Sequence, residues 1–216
     1  MDSGRLEALS DGVIAVAITL LVFNLAVPVP GHGSLGGQLA SHWPAFAAYA
    51  LSFLRIGIAW VNHHGMFRSF ARVDRVILFL NLLLLFFIVT IPFATATLAS
   101  YLSHGGPDAA LAAAIYQGVF LGMTLSLSGL LWWSIRRGNL KPPLAGARAR
   151  SAMIRFARGN TLYAIGIGIA FVSAPASLLV SAVAAIYYMF ERTPVQAAAH
   201  DPGSPQSSAS HEAPEG

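Results

Sequence analysis

Residues 6–27 read LEALSDGVIAVAITLLVFNLAV and are closed at once by Pro28-Val29-Pro30. The stretch has the length that an α-helix needs to cross a hydrocarbon core of roughly 30 Å. Its only ionisable groups, Glu7 and Asp11, sit near its start. Five further stretches share the pattern: about 44–66, about 76–102 with an internal Pro92 where a kink is expected, about 109–135 ending in Trp132-Trp133, and two shorter runs, about 156–173 and 176–190. A turn at Ala174-Pro175 is expected between the last two. The composition agrees: 56% of the 216 residues are hydrophobic and 10% charged, where a soluble domain carries about 25% charged. The sequence therefore predicts an all-α membrane protein, with a transmembrane domain of six helices in residues 1–192. The Pro-, Ser- and Ala-rich stretch 193–216 is expected to be a disordered cytoplasmic tail.

The thirteen Lys and Arg confirm the count of six by their placement. Twelve of them fall before the first span, between spans two and three, in the connection from span four into the first residues of span five (Arg158), or after span six; only Arg55 lies deep inside a span. The intervening loops 28–43, 103–108 and 174–175 hold none. Positive residues stay on the cytoplasmic side, so both termini are expected there. The basic residues flank apolar runs without forming a patch among aromatic platforms, so nucleic acid is excluded as a partner. The absence of Cys removes thiolate chemistry and disulfides. The N-terminal stretch does not read as a signal peptide, because Glu7 and Asp11 interrupt it.

Polar groups within spans mark function or bracing. Asp11 in span one and Asn62, His63 and His64 in span two lie at similar depth near the cytoplasmic side. With Ser10 and Trp60 they can form a closed hydrogen-bond network; the alternatives are a proton relay or a metal site. His63 and His64 project about 100° apart on a helix, there is no HExxH, and no glutamate is placed beside them, so no metal is expected. Arg55 is read either as a bundle-facing residue bonded to carbonyls, Asn81 or Thr90, or as an anion-binding or pore-rim charge. On span one, Val16, Thr19, Leu20 and Phe23 share one face with Gly12, while Asp11, Ile14, Ile18 and Val22 share roughly the opposite one. Periodicity leaves open which faces lipid and which faces protein. Gly118 and Gly122 offer a small-residue contact for another helix. The loop histidines His32, His42 and His104 are read as solvated or as pH-sensitive.

The run from Arg5 to Val22 resembles the first-helix signature of the transmembrane protein 175 family, the potassium channels of late endosomes and lysosomes with their six-helix prokaryotic relatives. Arg5, Ser10 and Asp11 match its Arg-x-x-x-Phe-Ser-Asp motif, and Leu9 stands where the family has Phe. Tyr49 to Leu54, Trp60-Val-Asn-His-His64, Asn81-Leu and Ile91-Pro-Phe93 resemble the second and third helices. The resemblance implies a homotetramer in which helix one of each subunit lines a central pore. Val16, Leu20 and Phe23 then become apolar constricting rings with Thr19 as a hydroxyl ring beside them. Arg5, Ser10, Asp11, Trp60, Asn62, His63 and His64 become a structural lock.

A potassium-permeable cation channel with a hydrophobic gate is the function expected from this. It would need no cofactor and would be no enzyme, and its place would be a prokaryotic plasma membrane among lipids. No Thr-Val-Gly-Tyr-Gly stretch exists, so a carbonyl filter is absent and only a modest preference for potassium over sodium is expected. The alternative is a proton-coupled secondary transporter that uses Asp11 with His63 and His64.

Overall fold

The structure, a computed structural model, describes residues 3–25, 28–141 and 147–190. The expected tail 193–216 lies outside the described residues. Seven α-helices are present among them: α1 (Ser3–Leu20), α2 (Leu35–Ser41), α3 (Trp43–Arg68), α4 (Arg75–Tyr101), α5 (Gly106–Arg137), α6 (Ala147–Ala170) and α7 (Ala174–Phe190). Among the described residues, four helical stretches are long and apolar enough to cross a membrane: Gly4–Asn24, Trp43–Arg68, Arg75–Tyr101 and Gly106–Arg137.

The boundaries follow from local chemistry. A 3-10 turn over Leu21–Asn24 tightens the end of α1, and Leu25 is already extended, short of the expected end at Val27. Asn24 is anchored at this end: its side-chain amide donates to the Pro92 carbonyl on α4 at 3.0 Å, which ties the end of the first helix to the third span. The connection after it is not all loop, because Ser34 caps the short α2 by accepting from the Gly37 N–H at 3.1 Å. Helix α4 runs through Pro92 without a break. Gly138 closes α5 in the left-handed conformation, φ 65°, where a residue without Cβ is favoured.

The last two helices differ from expectation. Helix α6 begins nine residues ahead of the expected start at 156, because the stretch 147–155 is mostly Ala, Arg and Met, good helix formers, and holds no Gly or Pro. The reversal lies at residues 171–173, ahead of Ala174-Pro175, and those two residues form the first turn of α7. A proline there loses no hydrogen bond. Ser173 N–H closes the reversal on the Ile169 carbonyl at 2.8 Å.

Helix α4 packs against α1 and α3 on one side and α5 on the other; α6 covers α5, and α7 folds back on α6. Its buried face includes Ile77, Asn81, Leu84, Ile88 and Ile91. The opposite face exposes Phe79, Leu82, Phe86, Val89 and Phe93, and its hydroxyls, Thr90 and Thr97, are bonded back to the Phe86 and Phe93 carbonyls, as a surface facing lipid requires. Of Gly118 and Gly122 on α5, Gly122 is the contact: a Cβ there would collide with the Phe87 ring of α4, whereas Gly118 faces open space.

The end of the bundle that carries the basic loops is stitched across. Asp74 caps α4 by accepting from the Ile77 N–H at 2.9 Å, and its other oxygen accepts from the Trp133 indole of α5 at 2.8 Å and from Asn139 at 3.4 Å. Ala71 N–H donates to the Asn139 carbonyl at 2.7 Å and Lys141 N–H to the Ser69 carbonyl at 2.9 Å. Partial burial pushes the Asp74 carboxyl up, but the bonds from Ile77, Trp133, Val76 and Asn139 outweigh it and hold the group below its ordinary value of 3.8.

Two outcomes test this packing. Gly122→Val is expected to destabilise the purified protein by about 1–3 kcal/mol, because the Phe87 ring has to leave its seat; the midpoint of unfolding in detergent reads it. Asp74→Ala is expected to cost about 1 kcal/mol near neutral pH through the lost cap. A carboxyl held low in the fold contributes above its unfolded value and loses that contribution as pH falls through the folded one. The difference between wild type and Asp74→Ala is therefore expected to close below about pH 4.

Candidate functional site

Helix α1 divides into three faces. Leu6, Ser10, Ile14, Ala17 and Leu21 are buried against α3 and α4, at the spacing of one helical stripe. Glu7, Asp11 and Ile18 are half-buried on a flank. Val16, Thr19, Leu20 and Phe23 are exposed, Phe23 at 80% of its surface. The apolar stripe named in the sequence is thus neither core nor helix contact within the protomer. Val22 and Ala15 beside it are exposed too. Leu9 is also exposed, so replacing the family's Phe at that position removes no contact inside the protomer.

The polar residues form two clusters, not one network. The first is buried and runs in one direction. Ser10 Oγ donates to the Leu6 carbonyl at 2.9 Å, which frees the oxygen to accept from Asn81 Nδ2 of α4 at 2.9 Å. Asn81 Oδ1 in turn accepts from His63 Nε2 of α3 at 2.9 Å. An amide oxygen has no proton to give, so His63 carries its proton on Nε2. All three side chains are fully buried, and the His63 ring stacks on Phe67 with centroids 4.2 Å apart. Three helices are pinned by these bonds at one depth.

The second cluster lies outside the first and is half-exposed. Trp60 Nε1 donates to Asp11 Oδ1 at 2.9 Å. His64 Nδ1 stands 2.8 Å from Glu7 Oε1, but the ring N–H is not aligned for a hydrogen bond. Trp60 stacks on His64 with centroids 5.9 Å apart. Glu7 is therefore the glutamate that the sequence did not place beside the histidine pair, and Glu7, Asp11 and His64 bring three potential ligand atoms within 4.8 Å of one another. Asn62 joins neither cluster; its amide donates to the Ile58 carbonyl of its own helix at 2.9 Å. Arg5 is exposed at the start of α1.

Arg55 follows neither hydrogen-bonding partner expected of it. Asn81 is committed to His63 and Ser10, and Thr90 donates to the Phe86 carbonyl. The guanidinium instead lies 4.4 Å from the ring centroid of Phe120, 4.8 Å from that of Tyr163 and 5.4 Å from that of Tyr116. Asn81 and Glu7 are the residues that sequence reasoning missed in the clusters. The signal for Glu7 was its position four residues before Asp11, on the same helical flank.

Comparison with known proteins bears on all of this. The family model described as endosomal/lysosomal potassium channel TMEM175 matches residues 5–92. A potassium channel of Streptomyces collinus is 47% identical over 196 residues, covering 90% of this chain and 95% of that protein. A potassium channel of Chamaesiphon minutus is 38% identical over 191 residues, covering 87% of this chain and 93% of its own length. The crystal structure of a lysosomal potassium-selective channel TMEM175 homolog from Chamaesiphon minutus superimposes with a TM-score of 0.78 at 36% identity, covering 87% of this chain and 96% of that one.

The buried chain and the half-exposed pair are expected to differ in cost. Asn81→Leu strands the His63 donor and removes the Ser10 partner, and is expected to destabilise by about 2–3 kcal/mol. Trp60→Phe removes one bond at a site open to water and is expected to cost under about 1 kcal/mol. Thermal unfolding of the two variants in detergent compares them directly.

Proposed function

The chain belongs to the endosomal/lysosomal potassium channel TMEM175 family, and from that premise we propose a potassium-permeable cation channel closed by an apolar constriction on α1. The protein is a multi-pass membrane protein of a channel family, not an enzyme. In the proposed assembly four protomers in a prokaryotic plasma membrane place α1 around a common axis. Helix α1 and helices α3 to α7 are the six spans, with both termini in the cytoplasm. Support for the sidedness comes from the basic end of the bundle, where Arg68, Arg72, Arg75, Arg136, Arg137 and Lys141 gather around the loops after α3 and α5.

The observation that carries the reading is the exposure of Val16, Leu20 and Phe23, at 56%, 44% and 80%, on the helix whose other side is pinned into the bundle. Repeated around an axis, these side chains form successive apolar collars over about 10 Å of helix. A cation that sheds its water between such walls gains no ligand in exchange, so a narrow collar empties of water and blocks. Thr19 supplies the one polar atom on this face. Its hydroxyl proton is committed to the Val16 carbonyl at 2.8 Å, which leaves only oxygen lone pairs to face a passing ion. Such a ring accepts cations and offers nothing to anions. One hydroxyl oxygen per protomer is a weak ligand set, consistent with a modest preference for potassium over sodium. Opening requires α1 to turn or withdraw. Ser10 pins the near end of the helix and Asn24 ties the far end to Pro92 of α4, so the segment between them, Val16 to Phe23, is the part left to move unless the Asn24 bond breaks.

In a planar bilayer the purified protein is expected to give unitary currents whose reversal potential follows the potassium gradient. Leu20→Ala and Phe23→Ala are expected to raise the basal current severalfold by letting water into the constriction. Unchanged current in both variants, with altered current in Ile18→Ala or Val22→Ala, would assign the pathway to the other flank of α1. Stoichiometric proton-coupled uptake without unitary currents would replace the channel with a transporter.

A further inference from the structure

A cavity of about 340 Å³ lies between α3, α5, α6 and α7, away from the exposed stripe and both polar clusters on α1. Its size is that of a small-molecule site. Its walls are mostly apolar, among them Ile58, Met123, Leu127 and Tyr163, but two arginines, Arg55 and Arg155, also line it. No Asp or Glu does. The rim includes Phe53, Val61 and Met189, all exposed on the outer surface of the protomer, so a lipid chain can enter sideways from between α3 and α7.

Arg55 is the unusual member. It is 2% exposed, and none of its three nitrogens has a well-aligned acceptor among the described residues, although the Tyr116 hydroxyl lies close enough to interact with it. The rings of Phe120, Tyr163 and Tyr116 attract the cation through their faces. They leave the in-plane N–H groups unsatisfied, and it is those that recognise planar or tetrahedral oxyanions. A buried charge without an acceptor is costly in a membrane interior and marks a site for an opposite charge. An inorganic anion would satisfy the guanidinium and leave the apolar walls unused; an uncharged lipid chain would do the reverse.

We propose that this cavity binds an acidic single-chain amphiphile, its phosphate or carboxylate on the Arg55 guanidinium and its chain among Ile58, Met123 and Leu127. The ligand would join α3 to the α5–α6–α7 group and hold in place the helix that braces α1.

The test compares dodecyl phosphate, dodecanol and inorganic phosphate on the purified full-length chain in an uncharged maltoside detergent, read by unfolding midpoint and by native mass spectrometry. Dodecyl phosphate is expected to bind one per protomer and to raise the midpoint by several degrees, at least tenfold tighter than dodecanol, with inorganic phosphate giving no shift. Arg55→Met is expected to remove the advantage of dodecyl phosphate over dodecanol. Because that variant disturbs a buried charge, Gly57→Leu serves as the second: Gly57 lines the cavity and a Cβ there meets nothing within 4 Å. It is expected to fill the space, leave Arg55 in place and weaken dodecyl phosphate at least tenfold. Equal binding of dodecyl phosphate and dodecanol would overturn the proposal. So would an equal shift with inorganic phosphate alone, or undiminished dodecyl phosphate binding by Gly57→Leu.

Discussion

The one-way chain from His63 through Asn81 to Ser10 is the constraint from which the arrangement of the bundle follows. In water each of these groups would be satisfied by solvent. Inside a bilayer each has to find a protein partner, and only one register of α1, α3 and α4 lets all three do so. The direction of the chain is forced: the Ser10 proton is committed to its own helix, so Asn81 has to donate to it, and His63 has to donate to Asn81. With that register set, Leu6, Ile14, Ala17 and Leu21 have no face left but the core. Val16, Leu20 and Phe23 are turned outward for the same geometrical reason. The exposed stripe is thus a consequence of where the polar residues had to go.

Much of the helix layout was legible in the sequence because the apolar length a bilayer demands is a strong rule. The spans beginning near Pro44, Val76 and Ala109 lie within a few residues of α3, α4 and α5, since apolar length is read directly. Helix α6 was less legible. Hydropathy marks where a chain enters lipid, whereas its helical start depends on propensity, and the arginines of 148–158 are good helix formers in water. The reversal before α7 was misplaced by two or three residues because Pro175 reads equally as a turn residue and as a first-turn helix residue. The single expected network became two clusters for a reason periodicity cannot supply. Whether an adjacent pair of histidines points to one neighbour or to two depends on which helix stands beside each, and here His63 meets α4 while His64 meets α1.

Arg55 shows the same limit from another side. From sequence, a mid-membrane arginine asks for a carbonyl, an amide or a hydroxyl, and Asn81 and Thr90 were the side-chain candidates. The fold gives Asn81 to His63 and surrounds the guanidinium with Phe120, Tyr163 and Tyr116 from two other helices. The two buried polar centres are then separate, one pinning α1 to α3 and α4, the other sitting among α3, α5 and α6. Helix α3 belongs to both, which makes it the physical link between the cavity and the helix that carries the stripe.

The central claim is that the Val16–Phe23 face of α1 lines the ion path. The chain has no cysteine, so single substitutions to cysteine report without background. Silver ion, a thiolate-seeking cation that travels the aqueous path, is applied to open channels carrying Thr19→Cys or Leu20→Cys, with Phe86→Cys on the exposed face of α4 as control. Rapid, irreversible loss of potassium current in the two α1 variants, and none in the control, is the result this account requires. Full resistance of both α1 positions, with block at Phe86→Cys, would place the path on α4 and contradict it.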